Sequence, residues 1–296
     1  MGVADNRLPW PAVKSLRETL STLQHLLVCA LALTLFGCAS PINRSGFYGE
    51  STSGAQASIS PASTQPTIHV DDPADTTVVV YNHGTTRSDR AENCNRFWNR
   101  VPGSLLSLQS DGVLIYYLCS DVAEVPNRAT AGRYVYRRLA EIERTVDALL
   151  AAGVSPSRVF LAGHSAGGWA SLMAAAVFPD KFNGVIAFAP AFAGKRSNAT
   201  RFPHWRQVVR PRLIKHMLSA PTLPALVFAY RRDPYNRPED LAFLAETYPD
   251  SVRFVAYGCE NALSHLLHLY DCRESETSAA IADFIADRVR GGGNAE

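Results

Sequence analysis

The sequence has few charged residues, almost no charge imbalance and only one long apolar run. Charged residues make up 19% of its 296 residues, and 29 basic side chains nearly cancel 27 acidic ones, which leaves a formal net charge of +2. This balance argues against a nucleic-acid partner, because domains that bind nucleic acids are usually strongly basic. A single apolar run excludes a protein with several membrane spans. The sequence shows no internal repeat and no H-E-x-x-H zinc motif, so it predicts no metal site.

The apolar content is nevertheless high enough to build a substantial core. Hydrophobic residues form 47% of the chain, and together with the low net charge this excludes disorder throughout. A length of 296 residues suits one large α/β domain or two small ones. The chain is therefore expected to fold into one or two globular domains.

Residues 1–37 have the form of a secretion signal. An apolar core of about eleven residues is too short for a membrane span, which needs about twenty. Lys14 and Arg17 lie upstream of this core as a basic region. The segment is therefore expected to direct export and to be removed.

The end of the signal, Leu35-Phe36-Gly37-Cys38, resembles the lipobox of bacterial lipoproteins. The resemblance implies cleavage before Cys38, acylation of that residue, and a membrane partner held through its lipid. The expected location is the cell envelope, and Ser40 in place of Asp favours the outer membrane. An ordinary signal peptide, or a buried helix with an incidental Cys, is the alternative, and a protein without acylated Cys38 would be secreted.

Residues 38–66 are rich in small and polar residues, with few large apolar side chains. Such a composition cannot bury enough surface to offset the entropy of ordering, so it predicts a flexible tether. The folded catalytic domain is then expected to span residues 67–296.

Apolar β-branched runs alternate with segments of helical spacing along residues 67–296. Strands are predicted at 77–81, 113–118, 158–163, 185–189, 225–230 and 252–257, and helices at 129–151, 165–178, 238–248 and 275–290. Strands that are apolar throughout and separated by helices indicate a parallel sheet covered on both faces, which is an α/β fold. In such sheets a ligand binds beyond the carboxyl ends of the strands.

Four cysteines remain for the exported domain: Cys94, Cys119, Cys259 and Cys272. An even number in an oxidising compartment predicts disulfides. Three pairings exist, and Cys94–Cys119 with Cys259–Cys272 is favoured because each pair is close in sequence. Four reduced, buried thiols are the alternative.

The segment 163–167 reads Gly-His-Ser-Ala-Gly, which is a G-x-S-x-G motif. A predicted strand enters it and a predicted helix leaves it, as a nucleophile elbow requires. Ser165 is therefore the candidate nucleophile. Such a Ser needs a His as base, and the His needs a carboxylate that fixes its tautomer. A glycine-rich turn with a solvated Ser is the alternative.

With this motif, residues from about 76 to 290 resemble an α/β hydrolase, close in style to the dienelactone-hydrolase-like serine esterases. The resemblance implies the α/β-hydrolase fold, with a mostly parallel sheet and helices on both faces. It also implies the chain order Ser, acid, His, in which Asp233 after the strand 225–230 is the acid. Asp233 as a turn-former, or as a partner of Arg231 or Arg232, is the alternative.

The base and the oxyanion hole follow from the same resemblance. His265 follows the last predicted strand and is the preferred base, with His268 as the alternative. One oxyanion donor is the amide of Ala166, the residue after the nucleophile. The second is the amide of Thr85, in a loop that resembles the family's His-Gly-X, with Thr86 as the alternative.

Residues 191–222 form a basic insertion that resembles a cap over the active site. Its basic residues are Lys195, Arg196, Arg201, Arg206, Arg210, Arg212 and Lys215, and it contains no acidic residue. Such a cap could favour an anionic substrate or anionic lipid headgroups. A solvated helical face is the alternative.

These features predict a serine hydrolase, and most specifically a carboxylesterase that acts on small ester substrates through an acyl-enzyme, without a cofactor. A peptidase, thioesterase or acyltransferase would use the same residues on the same fold. A lipoprotein of the cell envelope that binds without catalysing a reaction is the alternative from another class.

Overall fold

A seven-stranded, mostly parallel β-sheet forms the centre of the structure, which is a computed structural model. It describes residues 45–49, 55–58, 66–85, 99–120, 133–192, 194–198, 200, 204–259, 264–269 and 272–292. All of them belong to one compact unit, Pro41–Glu296. The predicted signal 1–37, Cys38, Thr86 and Cys94 lie outside the described residues. No helix within these ranges has the length and apolar character needed to cross a membrane.

The described strands are β1 Gly46–Phe47, β2 Ala55–Ser58, β3 Thr67–Val70, β4 Thr77–Asn82, β5 Val113–Leu118, β6 Val159–His164, β7 Gly184–Phe188, β8 Ala225–Tyr230 and β9 Val252–Tyr257. Six of them, β4 to β9, coincide within one residue with the predicted apolar runs. The sheet has the order β1-β5-β4-β6-β7-β8-β9, and β2 pairs with β3 separately. Every residue of β4, β6, β7 and β8 is buried, whereas β9 at the edge is partly exposed. Burial of the central strands on both faces explains their unbroken apolar character.

Helices cover both faces of this sheet. They are α1 Gly103–Leu106, α2 Arg133–Ala151, α3 Ala166–Ala174, α4 Arg210–Met217, α5 Pro238–Leu241, α6 Phe243–Thr247 and α7 Glu274–Gly292. Val78 and Val80 pack in the apolar cluster that includes α2, α3 and α4. Val79 and Tyr81 pack in the opposite cluster, with α1 and α7. Because side chains alternate along a strand, each apolar run supplies both cores.

Two predicted helices differ from the observed ones. The helix expected to start at Ser165 starts at Ala166, because Ser165 has a left-handed φ of 52°. The helix expected over 238–248 consists of α5 and α6, which flank Ala242. Neither difference changes the order of the elements along the chain.

Ordered β-structure begins inside the segment 38–66, which its composition predicts to be a flexible tether. β1 pairs antiparallel with β5. Phe47 is only 1% exposed, and its ring packs edge-on against that of Tyr116, with 5.3 Å between the centroids. One large apolar side chain thus anchors a segment whose average composition is polar. Gly46 and Phe47, which lie within this segment, are therefore part of the central sheet.

The carboxyl ends of four parallel strands carry the residues singled out in the sequence. β4 leads to Thr85, β6 to Ser165, β8 to Asp233 and β9 to His265. Parallel strands end at the same edge of a sheet, so the fold gathers these four residues at one edge.

Candidate active site

Ser165 lies on a sharp turn between β6 and α3. Its φ of 52° and ψ of −119° fall in a region that residues with a side chain rarely adopt. The Ser165 amide donates to the carbonyl of Phe188 at 3.0 Å, and the amide of Trp169 donates to the Ser165 carbonyl at 2.9 Å. A strained residue that its surroundings hold in place is typical of a nucleophile elbow.

Two glycines permit this turn because the backbone approaches itself closely there. A Cβ atom on Gly163 would lie 2.5 Å from the carbonyl carbon of Gly167. A Cβ atom on Gly167 would collide with the carbonyl oxygens of Asn82 and His83. The elbow thus packs directly against the end of β4, where the predicted oxyanion loop begins.

The structure brings Ser165, His265 and Asp233 into one chain of hydrogen bonds. The Nε2 atom of His265 lies 2.9 Å from Oγ of Ser165. The Nδ1 atom of the same ring lies 2.7 Å from Oδ2 of Asp233. This order of groups is the arrangement in which an imidazole can take the proton of a hydroxyl while a carboxylate orients the ring.

Backbone amides hold the other oxygen of the Asp233 carboxylate. Oδ1 accepts hydrogen bonds from the amides of Tyr235 at 2.6 Å and Asn236 at 3.3 Å. The side chain of Asp233 is fully buried. Asp233 therefore accepts the hydrogen bonds that shape the turn after β8 and also bonds the ring of His265. Its contacts fit both the turn-former and the acid that the sequence suggests.

His268, the alternative base, lies deeper in the protein. It is 2% exposed, and its ring stacks on that of His164 with 3.7 Å between the centroids. Among the described residues, neither of its ring nitrogens has a hydrogen-bond partner. Burial and the neighbouring His265 hold the pKa of His268 well below its ordinary value of 6.5. His268 is therefore a buried neutral neighbour of the chain of hydrogen bonds, and His265 is its member.

His164, the residue before Ser165, contacts the backbone of His265. Its Nε2 atom lies 2.8 Å from the backbone oxygen of His265, so the ring donates a hydrogen bond to that carbonyl. Burial, His268 and His265 keep the pKa of His164 well below 6.5, which maintains the neutral ring. Nothing in the sequence signals this contact, because it joins two segments 101 residues apart.

The two predicted oxyanion donors follow β4 and the nucleophile. Ala166 is the first residue of α3, so its amide is free of the helical hydrogen-bond ladder. Thr85 follows Gly84, and the hydroxyl of Thr85 lies 3.2 Å from the hydroxyl of Tyr134. The alternative donor, Thr86, lies outside the described residues.

A buried arginine that sequence reasoning missed supports the loop before Thr85. Arg138, on α2, is 2% exposed, and it donates to the carbonyls of His83 at 2.7 Å and Gly84 at 3.3 Å. Val135 and Ile142, three residues before it and four after it, are fully buried. An arginine on the apolar stripe of a helix is the signal that could have identified it.

Two arginines of the basic insertion lie close to the carboxylate of Asp240. Arg196 forms an ion pair with Asp240, and the Nη2 atom of Arg206 lies 3.8 Å from the same carboxylate. Arg206 also donates to the carbonyl of Tyr235 at 3.0 Å, within the turn that holds Asp233. Arg206 therefore braces the turn that holds Asp233, and Arg196 pairs with Asp240 on α5, whereas Lys195 remains exposed.

A disulfide closes the loop that carries His265. Cys259, two residues after β9, is bonded to Cys272, and their Cα atoms are 6.2 Å apart. Cys119 is also disulfide-bonded, and its predicted partner Cys94 lies outside the described residues. Within the described part of the chain, no group of three or more His, Cys, Asp or Glu side chains is arranged to hold a metal ion.

Comparisons with known proteins agree with this architecture. Residues 136–252 match the model of a family described as serine aminopeptidase, S33, which is less than half of the chain. No curated protein matches the sequence. The structure is similar to Est1E from Butyrivibrio proteoclasticus, at 15% identity and a TM-score of 0.54, over 80% of this chain and 100% of that one.

Two peptidases are similar to a comparable extent. A putative dipeptidyl aminopeptidase IV from Bacteroides ovatus aligns at 14% identity and a TM-score of 0.57, over 82% of this chain and 35% of that chain. Oligopeptidase B from Leishmania major aligns at 13% identity and a TM-score of 0.51, over 80% of this chain and 37% of that chain. The chain thus spans about a third of either peptidase. Such distant likenesses show the fold alone: the chain has the α/β-hydrolase fold, and the family match supports a serine hydrolase of that fold.

Proposed function

We propose that this chain is a serine hydrolase that cleaves carboxylic esters through an acyl-enzyme. One observation carries the proposal. Asp233, His265 and Ser165 form a continuous chain of hydrogen bonds that ends on a residue with a strained, left-handed backbone. A buried structural network has no need of a strained serine, whereas a nucleophile does.

The hydrogen bonds define how the nucleophile is activated. The Nδ1–H group of His265 donates to Asp233, which leaves the Nε2 lone pair free to accept the hydroxyl proton of Ser165. As Oγ attacks the ester carbonyl, this proton moves to Nε2, and the carboxylate of Asp233 stabilises the imidazolium. The fully buried position of Asp233 strengthens this interaction.

The reaction proceeds in two stages, each through its own tetrahedral intermediate, and the collapse of the first completes acylation. The bond from Oγ to the acyl carbon remains, the bond to the leaving alcohol breaks, and His265 returns the proton to the alcohol. Water attacks the acyl-enzyme in the same way and releases the acid and free Ser165. The amides of Thr85 and Ala166 would stabilise the negative oxygen in both stages.

Hydrolysis of short-chain p-nitrophenyl esters tests the proposal. We expect the purified domain to release p-nitrophenol and to be labelled by a fluorophosphonate probe, and Ser165→Ala to abolish both. Ser219→Ala is the matched control, because Ser219 is exposed on the surface. If the wild-type protein neither hydrolyses any ester nor reacts with the probe, the enzyme proposal fails in favour of a non-catalytic envelope-binding lipoprotein.

A peptidase is the second candidate, and the family match favours it. The model that matches residues 136–252 is described as a serine aminopeptidase. Parallel assays with p-nitrophenyl esters and aminoacyl p-nitroanilides distinguish the two. We expect hydrolysis of the esters and no hydrolysis of the anilides above background; hydrolysis of an aminoacyl anilide that Ser165→Ala abolishes would identify a peptidase. A thioester substrate and an added alcohol acceptor test the thioesterase and acyltransferase alternatives in the same series.

The proposal also includes a lipid anchor on Cys38 and a position in the cell envelope, more specifically at the outer membrane. It rests on the resemblance of residues 35–38 to a lipobox. Mass spectrometry of the mature amino terminus tests it. We expect an acylated Cys38 as the first residue, and an unmodified Cys38 within an intact chain would contradict the anchor.

A further inference from the structure

We propose that Arg138 is a positioning residue of the oxyanion hole, which fixes the direction of the Thr85 amide through the carbonyl of Gly84. The inference rests on the proposed function, because it assigns the Thr85 amide to the developing oxyanion. It adds to the site a residue that lies on α2, more than fifty positions along the chain from the loop that it holds.

Two donors converge on the carbonyl of Gly84. The Nη1 atom of Arg138 lies 3.3 Å from this oxygen, and Nδ1 of His83 lies 2.7 Å from it. The Nη2 atom of Arg138 donates to the preceding carbonyl, that of His83, at 2.7 Å. One planar guanidinium therefore holds two successive carbonyls, which a lysine with its single ammonium cannot match in geometry.

The peptide bond transmits this constraint to the oxyanion donor. The carbonyl of Gly84 and the amide N–H of Thr85 belong to the same planar, trans peptide group, so they point in opposite directions. With the carbonyl turned toward Arg138, the N–H of Thr85 must point away from the guanidinium. Fixing the carbonyl therefore fixes the donor, without any contact between Arg138 and the reacting atoms.

The guanidinium also strengthens the amide as a donor. Hydrogen bonds to a carbonyl polarise the peptide group, and the effect is larger in a buried environment of low dielectric constant. The side chain of Arg138 is almost entirely buried. Burial lowers the pKa of Arg138, while the nearby Tyr134 and Glu141 raise it. A guanidinium is not deprotonated in proteins, so Arg138 keeps its positive charge.

The surroundings of His83, the other donor, favour the tautomer that carries the ring proton on Nδ1. The amide of Ser120 donates to Nε2 of His83 at 3.0 Å, so the ring proton lies on Nδ1 and points to Gly84. The hydroxyl of Ser120 donates in turn to Glu141 at 2.5 Å. Burial and the charge of Arg138 lower the pKa of His83 to about 3, so the ring stays neutral near neutral pH.

A purely structural role for Arg138 predicts a different outcome from a positioning role. A structural arginine would affect the free energy of unfolding and the fraction of active protein. A positioning residue lowers kcat while KM changes little, because the oxyanion exists in the transition state and not in the bound ester. It also weakens the binding of inhibitors that form an oxyanion more than the binding of those that do not.

The experiment compares Arg138→Lys and Arg138→Met with the wild-type protein. The matched control is Arg137→Met, because Arg137 is the exposed neighbour on the same helix. With p-nitrophenyl acetate we expect kcat to fall roughly tenfold for Arg138→Lys and roughly a hundredfold for Arg138→Met, since loss of a whole oxyanion donor costs 10²–10³. KM should stay within about twofold. Affinity for a trifluoromethyl ketone should fall in parallel with kcat, while affinity for the corresponding unreactive ether stays constant.

The outcomes separate this inference from the proposed function. A wild-type protein without ester hydrolysis or fluorophosphonate labelling refutes the proposed function. An active wild-type protein with folded Arg138 variants of unchanged kcat, or with both inhibitors weakened equally, overturns the inference alone. If both variants fail to unfold cooperatively, His83→Gln tests the second donor to the same carbonyl. In His83→Gln, an unchanged kcat overturns the inference, and a loss of kcat at constant KM supports it.

Discussion

Ser165 and His265 are joined by a hydrogen bond of 2.9 Å, yet they lie on very different parts of the molecule. Ser165 lies on the turn after β6, a fully buried central strand. His265 lies on a short 3-10 helix, Ser264–Leu269, in the loop beyond the edge strand β9. The elbow that carries Ser165 is shaped by backbone packing, whereas the base loop that carries His265 is held by side chains.

The contacts of the base loop show this difference. His265 reaches Asp233 through its ring and His164 through its carbonyl. The carbonyl of Leu269 accepts a hydrogen bond of 3.3 Å from Arg100, and the disulfide Cys259–Cys272 closes the loop. The comparison teaches that the candidate site joins a turn fixed by backbone packing to a loop whose geometry depends on a few separable interactions. We expect that each of those interactions can be removed while the backbone of the elbow keeps its conformation.

Removal of the acid should have the largest effect. In Asp233→Asn, the amide offers the His265 ring a donor in place of an acceptor, so the wrong tautomer is favoured. By analogy with other triads we expect kcat to fall about 10⁴-fold. Asp250→Asn is the control, because Asp250 is exposed on the surface. A loss of less than tenfold in Asp233→Asn would show that the base loop orients His265 without the acid.

Removal of the disulfide should have an intermediate effect. In Cys259→Ser with Cys272→Ser, the loop around His265 gains freedom, and the free energy of unfolding should fall by about 2–4 kcal/mol. We expect kcat to fall as well, while prolonged fluorophosphonate treatment still labels Ser165, because the elbow does not depend on this loop. Urea unfolding and single-turnover kinetics measure the two effects. An unchanged kcat would mean that the side-chain contacts alone hold the base.

Acid should destabilise the contact between the two regions. The pKa values of His164 on the elbow and His268 on the base loop lie well below 6.5, with burial as the largest cause. Below pH 6.5 the unfolded chain binds more protons than the folded one, so stability falls as the pH falls, by up to about 1.4 kcal/mol per pH unit for each such histidine. Urea unfolding at pH 7.5 and pH 5.5 measures this loss. His268→Phe should reduce it, and an equal loss in that variant would contradict the assignment.

The smallest effect is expected for the hydrogen bond between the two regions. His164→Phe keeps an aromatic ring against His268 but removes the donor to the His265 carbonyl. Since a neutral hydrogen bond contributes about 0.5–1.5 kcal/mol, kcat should fall between about twofold and tenfold. The exposed His204 provides the control variant His204→Phe. A loss beyond a hundredfold would show that His164 does more than hold the loop.

The same contrast explains what the sequence could predict. The α/β fold was predictable and is confirmed, because the central strands are buried on both faces and their apolar runs are unbroken. The G-x-S-x-G motif predicts its own local geometry, since the glycines at 163 and 167 are required by contacts within the elbow and with β4. The choice between His265 and His268 stayed open, because a spacing of three residues does not tell which ring reaches Asp233.

Residues that act through tertiary contacts were not predictable in this way. His164 and Arg138 act on segments far from them in the chain. The Phe47 side chain anchors a polar segment against Tyr116, and an average over composition hides a single aromatic residue. Each of these contacts depends on which segments meet in the folded protein. The pattern of residues along a single segment does not show this.

The position of β1 has a practical consequence for how the domain is prepared. β1 and Phe47 cover one end of β5, whose backbone would otherwise present unpaired hydrogen-bonding groups at the sheet edge. Open edges of this kind pair with other chains and promote aggregation. A recombinant protein that starts at Thr67 would expose both this edge and the ring of Tyr116, whereas one that starts at Pro41 keeps them covered. We therefore expect the protein that starts at Thr67 to aggregate more readily than the one that starts at Pro41.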